Sequence, residues 1–448
     1  MPGPSGWMGA KNRSHVDKRL VQSSYLGRYM KPGHTHAGVA LYIRSHDYNE
    51  MLGAMSAKLI RDSPKTLRPY TVREAVDKGC RLVEVWFKTA GCRYFLQGGC
   101  TMCNYGRHHK VGTDEMVQSV ASALGEAGLQ AGDKLLINPS GSLLDEGEVP
   151  AHALDQILAM ARELPLAGFE TEAQAQYVTD EVLSRFRELM PDIPLKVVCG
   201  VESAHPWVRR NVFNKDLPTS TLLNAFASAT RYDIALSTNL ILGAPFLSER
   251  QSISDCVRSI RWLLEIGIRD CYIFPTSIKV GTLTHWLWQN DRFRPPSLWS
   301  LISVLEQLNE DELSCVSVAW HKPYYFNQAT SIRKSSRIPF TCPQCYRQVV
   351  GLLDEFVATR SRSVVNTLSQ TSCACRTESV RRPNNQTEVS IQQAVRESIW
   401  HTALEILGET VAVKLLPDLE RSLTTRPGEE CLDHHFGQNS GATGGENP

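Results

Sequence analysis

The sequence has no apolar run approaching the roughly 20 residues a membrane span requires, so no membrane partner is expected. Charge of one sign is missing too. Forty-eight Lys and Arg stand against 47 Asp and Glu, and a net charge of +1 leaves no whole-molecule field to gather a polyanion. Any nucleic-acid contact must be local. The opening MPGPSGWMGAKNRSHVDKRL holds no apolar signal segment. Thirteen cysteines in such a chain point to a reducing compartment where thiols stay free or bind metal, and the expected location is cytoplasmic. No internal repeat is visible, which argues against solenoids and propellers. What is present is 448 residues, enough for one large domain with appendages.

Residues 1–69 read as an N-terminal extension, partly disordered, with a short helix around 15–29. Thr71 and Glu74 have capping-box spacing and predict a helix running toward Lys78. Short apolar runs then alternate with amphipathic segments. Strands are expected at 82–87, 134–138, 166–171, 195–201, 234–242, 271–274 and 315–319. Helices are expected at 114–127, 151–164, 180–190, 219–229, 253–266 and 298–308. The fold class is therefore α/β, a partial TIM-like βα barrel over 70–320, with every strand's C-terminal loop on one rim. From residue 321 the segment HKPYYFNQATSIRKSSR lacks any acidic residue. A small Cys-rich module is expected over 321–380, with a helix at 349–358. Residues 381–448 read as one helix at 391–407 and a disordered Gly-rich tail.

The strongest chemical signal is GCRYFLQGGCTMCNYG, which places Cys92, Cys100 and Cys103 in one loop directly after the apolar strand 82–87. Three thiolates suit a cubane iron–sulfur cluster with one iron left open to a small molecule. A zinc site is the alternative, with His108 or His109 as a further ligand, and spacing alone does not separate the metals. A second set, Cys342, Cys345, Cys373 and Cys375, pairs two thiolate knuckles across a short helix. It suits structural zinc, with an auxiliary iron–sulfur cluster as the rival. Cys80, Cys199, Cys256, Cys271 and Cys315 sit in strand or helix patterns and read as buried apolar residues. Cys431 beside His434 and His435 reads as part of the tail.

Over roughly residues 83–376 the chain resembles the radical S-adenosylmethionine (SAM) superfamily, and within it the archaeosine-synthase branch near the methylthiotransferases and the Elongator catalytic subunit. The resemblance rests on the seven-and-two cysteine spacing and on NPSGSLLD at 138–145, GVESAHPWVRRNVFNK at 200–215, LILGAPFLSER at 240–250 and PTSIKVGTLTHWLWQNDRFRPPSLWS at 275–300. It implies a [4Fe-4S] cluster on Cys92, Cys100 and Cys103, SAM chelated to the open iron, and a 5′-deoxyadenosyl radical that takes hydrogen from a substrate. A reductant such as flavodoxin or ferredoxin is implied as a partner. For SAM it implies contacts from Met102, from Ser140, Gly141 and Ser142, from Glu172, from Glu202 and Ser203, and from Gly243 and Pro245. Relatives often follow the glutamate with a small residue, an Arg and a Pro; this chain has Ala173, Gln174 and Ala175. No catalytic side chain is singled out.

The resemblance further implies a lysine-linked 7-deazaguanine adduct in tRNA as substrate, cleaved at a carbon–nitrogen bond. Lys322, Arg333, Lys334 and Arg337 beside Tyr324, Tyr325 and Phe326 fit phosphate neutralisation with base stacking, and Trp286, Trp288 and Arg292 are candidates for the substrate mouth. Two alternatives stand beside it: a free metabolite or natural-product intermediate as substrate, and a non-catalytic, metal-containing scaffold.

Overall fold

The computed structural model describes residues 48–60, 68–106, 111–139, 141–322, 337–376 and 390–424. Helix α1 (Glu50–Ile60) precedes a hairpin of β1 (Tyr70–Asp77) and β2 (Cys80–Phe87), followed by α2 (Thr113–Glu126), β3 (Lys134–Asn138), α3 (Ala151–Arg162) and β4 (Gly168–Ala173). Next come α4 (Asp180–Leu189), β5 (Leu195–Glu202), α5 (Pro206–Asn211), α6 (Thr219–Arg231), β6 (Ala235–Leu242) and α7 (Glu249–Glu265). The barrel part ends with β7 (Cys271–Pro275), α8 (Leu283–Gln289), α9 (Leu298–Glu306), α10 (Glu310–Ser314) and β8 (Val316–Val318). Then follow α11 (Pro343–Thr359), α12 (Arg362–Gln370), α13 (Ile391–Leu407) and α14 (Glu409–Leu423).

The eight strands pair in chain order, β1 to β8, and β1 and β8 remain the two edges. All pairs from β2 onward are parallel. The curled sheet is thus a half-barrel, the incomplete TIM-like α/β fold expected from the βα alternation. Helix α11 packs against both β1 and β8, so a helix from beyond the barrel spans the seam between its edges.

Two local expectations fail. Tyr70–Asp77 form a strand instead, because Lys78 and Gly79, both at positive φ (49° and 79°), make a two-residue turn. That turn lets β1 pair antiparallel with β2 from Asp77↔Cys80 to Tyr70↔Phe87. Eight residues of ladder outweigh a capping-box spacing. At the other end, α14 follows the expected helix 391–407 where only tail was expected.

Strand side chains alternate between two environments. Val83, Val85, Leu135, Ile137, Phe169, Val197, Cys199, Leu240, Ile273 and Val316 face the surrounding helices in one apolar core. The concave face is polar instead. At its N-terminal end Lys196 Nζ lies 2.8 Å from Glu170 Oε2, 3.4 Å from Asp270 Oδ2 and 3.8 Å from Asp77 Oδ2. Lys134 adds Asp77 at 2.7 Å, and Arg360, just past α11, adds Asp270 at 3.3 Å. This closed ion network plugs the barrel floor, leaving the opposite rim for chemistry.

A second core joins α1, α13 and α14 to Trp207, Val212 and Phe213. Its polar seam is fully buried. Asn49 Nδ2 donates to Asn211 Oδ1 (3.1 Å) and Ser422 Oγ (2.9 Å), while Asn49 N donates to Asn214 Oδ1 (2.9 Å). Among the described residues no helix is long and apolar enough to cross a membrane.

Candidate cofactor site on the cysteine loop

The loop after β2 is tied down at every turn. Cys92 N donates to Tyr105 O (3.1 Å), closing the two ends, and Thr101 reaches Phe213 O through its N–H and Val212 O through its hydroxyl (both 2.9 Å). Asn214 Nδ2 donates to Gly99 O (2.8 Å), and Asn104 Nδ2 to Val280 O (3.2 Å). Arg93 grips Asp145 with two bonds, of 2.8 Å and 2.5 Å. Gly98, at φ +110°, leaves no room for a side chain, since a Cβ would lie 2.5 Å from the backbone of Gly53 in α1. Loop and helix therefore meet backbone to backbone.

Cys92, Cys100 and Cys103 are all partly exposed at this rim, close enough that each thiol feels the charge of another. Their sulfurs do not all fall within 4.8 Å of one another, as ligands of a single ion would. A larger, multi-iron group fits such a donor set. Burial pushes the Cys92 thiol up to about 12 and Cys100 well above its ordinary value, so metal binding must displace protons.

The other sequence-derived positions are distributed around this loop. Met102 packs, partly buried, on the second core. Ser142 is buried, its N–H donating to Glu148 Oε2 (2.8 Å) and its hydroxyl accepting from Gln174 N (3.2 Å). Gly141 sits so close to Glu148 and Cys92 that a Cβ would meet both. Ser140, His108, His109, Arg333, Lys334, Tyr324, Tyr325, Phe326, Cys431, His434 and His435 lie outside the described residues. Glu172, at the end of β4, is pushed up to about 7, first by burial and then by Glu84, with Lys279 and an Asn239 hydrogen bond opposing. Glu202 is buried at φ +66°, on the bulge that ends β5. Ser203 turns away from the rim, donating to Asp255 Oδ1 at 2.8 Å. Gly243, at φ +93°, is crowded by Pro296 and donates to Ser252 Oγ (2.7 Å), with Pro245 buried just after it. Trp286 and Trp288 pack, partly buried, on the second core, and Arg292 pairs with Glu405. Lys322 is paired with Asp354 (2.7 Å), and Arg337 stacks over Trp288 (4.7 Å).

Sequence reasoning missed several polar residues here. Gln174 Nε2 donates to Cys92 Sγ at 3.1 Å, at the very position where the expected arginine was absent. Lys215 pairs with Glu202 at 3.1 Å; burial opposes its charge, but Glu202 and Cys100 outweigh it and raise its pKa. Lys279 follows β7 and faces Tyr105 and Trp320. Glu148 is pushed up to about 7 by burial, with Thr89 Oγ1 donating to it at 2.5 Å. Lysines read as surface residues unless the fold is known. The only signal was their place in strand-end motifs.

The second cysteine set is compact. Sulfur–sulfur distances are 3.6 Å for Cys342–Cys345, 3.4 Å for Cys342–Cys373, 3.6 Å for Cys345–Cys375 and 3.5 Å for Cys373–Cys375. Trp299 of α9 donates its indole N–H to Cys375 Sγ (3.1 Å), and Arg376 pairs with Glu306 of the same helix (2.8 Å). The set thus fastens the start of α11 and the segment after α12 to a barrel helix.

No family model matches the chain. Archaeosine synthase subunit beta of Methanosarcina acetivorans is 30% identical over 304 residues, 66% of this chain and 83% of that protein. The protein of the same name from Thermococcus kodakarensis is 28% identical over 292 residues, 62% and 86% of the two chains. Among solved structures, methylornithine synthase is similar over 60% of this chain and 70% of its own, at 14% identity and a TM-score of 0.39. A half-barrel with a tri-cysteine loop on its C-terminal rim defines the class, that of the radical SAM enzymes. The chain belongs to the archaeosine synthase subunit beta family of that superfamily.

Proposed function

We propose that Cys92, Cys100 and Cys103 hold a [4Fe-4S] cluster, that SAM binds its open iron, and that the enzyme cleaves a carbon–nitrogen bond in a lysine-linked 7-deazaguanine adduct of tRNA. The observation that carries the cofactor reading is the donor set itself: three thiols on a rigid rim loop, too far apart to share one ion. The names of the relatives support the tRNA reading. When bound there, cluster and SAM would supply a 5′-deoxyadenosyl radical on one-electron reduction by a partner such as a flavodoxin or ferredoxin.

The chain's own residues do the rest. Gln174 holds Cys92 through its N–H···S bond, and the loop's anchors fix the three sulfurs before any ligand arrives. Glu202, fixed by Lys215, and Glu172 place carboxyl groups at neighbouring strand ends, where SAM's hydroxyl and ammonium groups need acceptors. Gly243 allows backbone to approach a flat adenine closely.

With the lysine moiety of the tRNA-bound adduct deuterated, deuterium should appear in the released 5′-deoxyadenosine, read by mass spectrometry. tRNA binding should weaken steeply with salt, because phosphate contacts release counterions. No tRNA binding at low salt rejects this substrate.

The four sulfurs of Cys342, Cys345, Cys373 and Cys375 are proposed to bind one zinc ion. Tetrahedral Zn–S bonds of about 2.3 Å put sulfurs about 3.8 Å apart, near the distances seen, whereas a cube's corner thiolates stand much further apart. Metal analysis of anaerobically reconstituted protein should give about four iron and about one zinc per chain. Cys373→Ser should lose the zinc alone; about eight iron and no zinc would reject this reading.

A further inference from the structure

We infer that Lys279 and the aromatic rings around it form a binding site for the carboxylate of a flat, heteroaromatic substrate. The inference rests on the proposed function and deepens it by assigning the substrate's acidic end to one side chain. The Lys279 ammonium lies 3.9 Å from the ring centre of Tyr105 and 4.5 Å from that of Trp320. Tyr105 follows Cys103 by two residues, so this cation stands beside the cysteine loop. Trp320 is held at φ +56°, a conformation unfavourable for a bulky residue, and meets Phe274 edge-on at 4.9 Å. The next residue, His321, is buried and fixed through Nε2 to Asp354 (2.7 Å). Backbone strain maintained by such anchoring fits a residue kept in place for a ligand.

Lys279 donates to the Tyr105 hydroxyl and feels Cys103 and Glu172 at longer range, with no carboxylate paired to it directly; the other carboxylates nearby have their own partners. Glu202 is taken by Lys215 (3.1 Å), Glu84 by the Trp86 indole N–H (3.1 Å), Glu148 by Thr89 and Ser142, and Glu172 accepts from Asn239. No described carboxylate lies within 4.0 Å of the Lys279 ammonium. Aromatic faces stabilise a desolvated cation without neutralising it, so the site retains its attraction for an anion. Lys279 is partly exposed, hence reachable from the mouth of the half-barrel. A lysine-linked deazaguanine carries both features the site offers to receive: a carboxylate for the ammonium and a flat ring system for Trp320 and Phe274.

The test compares indole-3-propionate with indole-3-propionamide by calorimetry on the reconstituted protein. The acid should bind the unaltered chain on the order of tenfold to a hundredfold more tightly than the amide. Lys279→Met should abolish that preference and Lys279→Arg should retain it. Equal binding of acid and amide, or a preference that survives in Lys279→Met, overturns the inference. In the unaltered protein the acid, and not the amide, should protect Lys279 from acylation, read by peptide mass spectrometry; absence of protection also overturns it. The lysine-linked deazaguanine and its cadaverine-linked counterpart form a second pair. If neither binds while the indole pair is discriminated, the substrate reading fails and the carboxylate site stands.

Discussion

Cys100→Ala is expected to bring 5′-deoxyadenosine formation from SAM to background, together with loss of most iron and sulfide. Cys100 sits between Gly99, whose carbonyl is held by Asn214, and Thr101, whose backbone and hydroxyl are held by Phe213 and Val212. Those bonds involve the loop backbone and Thr101, so the loop should keep its path when the sulfur is removed. Two thiols would remain where three are needed, and the site would lose the ligand set that leaves one iron open. Metal at the separate four-cysteine set, proposed above to be zinc, should stay at its original content. Chromatographic assay of anaerobic reactions with SAM and dithionite gives the readout, and turnover retained by the variant would reject the assigned ligands. The same assay separates an enzyme from a metal-containing scaffold, because the unaltered chain should release the product slowly even without substrate.

Lys196→Met should cost about 3–5 kcal/mol of stability, measured by urea denaturation at neutral pH, while leaving iron content per folded chain unchanged. Lys196 stands at the centre of the barrel floor, bonded to Glu170 and to the Tyr272 hydroxyl (both 2.8 Å) and near Asp77 and Asp270. Removing it leaves buried carboxylates short of positive charge. Glu170, already pushed up by burial with Lys196 opposing, should then take up a proton and cap the loss. The pH dependence follows from Asp77. Burial pushes its carboxyl up, but Lys196, Lys134 and Arg360 outweigh that and hold it below its ordinary value. A lowered carboxyl contributes stability above the unfolded pKa of about 3.9 and loses it as pH falls through the folded value. The penalty of the variant should therefore be largest near neutral pH, shrink first above the ordinary carboxylate range as Glu170 protonates, and shrink again below about pH 4 as Asp77 does. A loss under about 1 kcal/mol would mean that the floor network is not closed.

Much of the fold was legible because apolar runs bounded by polar turns have few interpretations. KLLIN at 134–138 is β3 residue for residue, and the helix expected at 391–407 is α13. β1 was not legible: Thr71 and Glu74 carry a local helix signal, and only pairing across the Lys78–Gly79 turn reverses it. The tail helix α14 holds a proline, Pro417, and buries its face against α1, α5 and α13. Local sequence does not show that partnership. At the candidate site the cysteines could be read by spacing, but which of them suit one ion and which a larger group needed sulfur–sulfur distances. Lys215, Lys279 and Gln174 became visible only when strand ends converged, since nothing in their immediate neighbours distinguishes a side chain on the rim from one in solvent.

The buried seam of Asn49, Asn211, Asn214 and Ser422 has a temporal consequence. Asn214 holds Gly99 beside Cys100, and Asn49, whose backbone N–H donates to Asn214, is itself bonded to a serine 373 residues downstream. A ribosome must deliver Ser422 before that brace exists. The complete seam therefore belongs to a chain synthesised past residue 422, and not to any shorter nascent one.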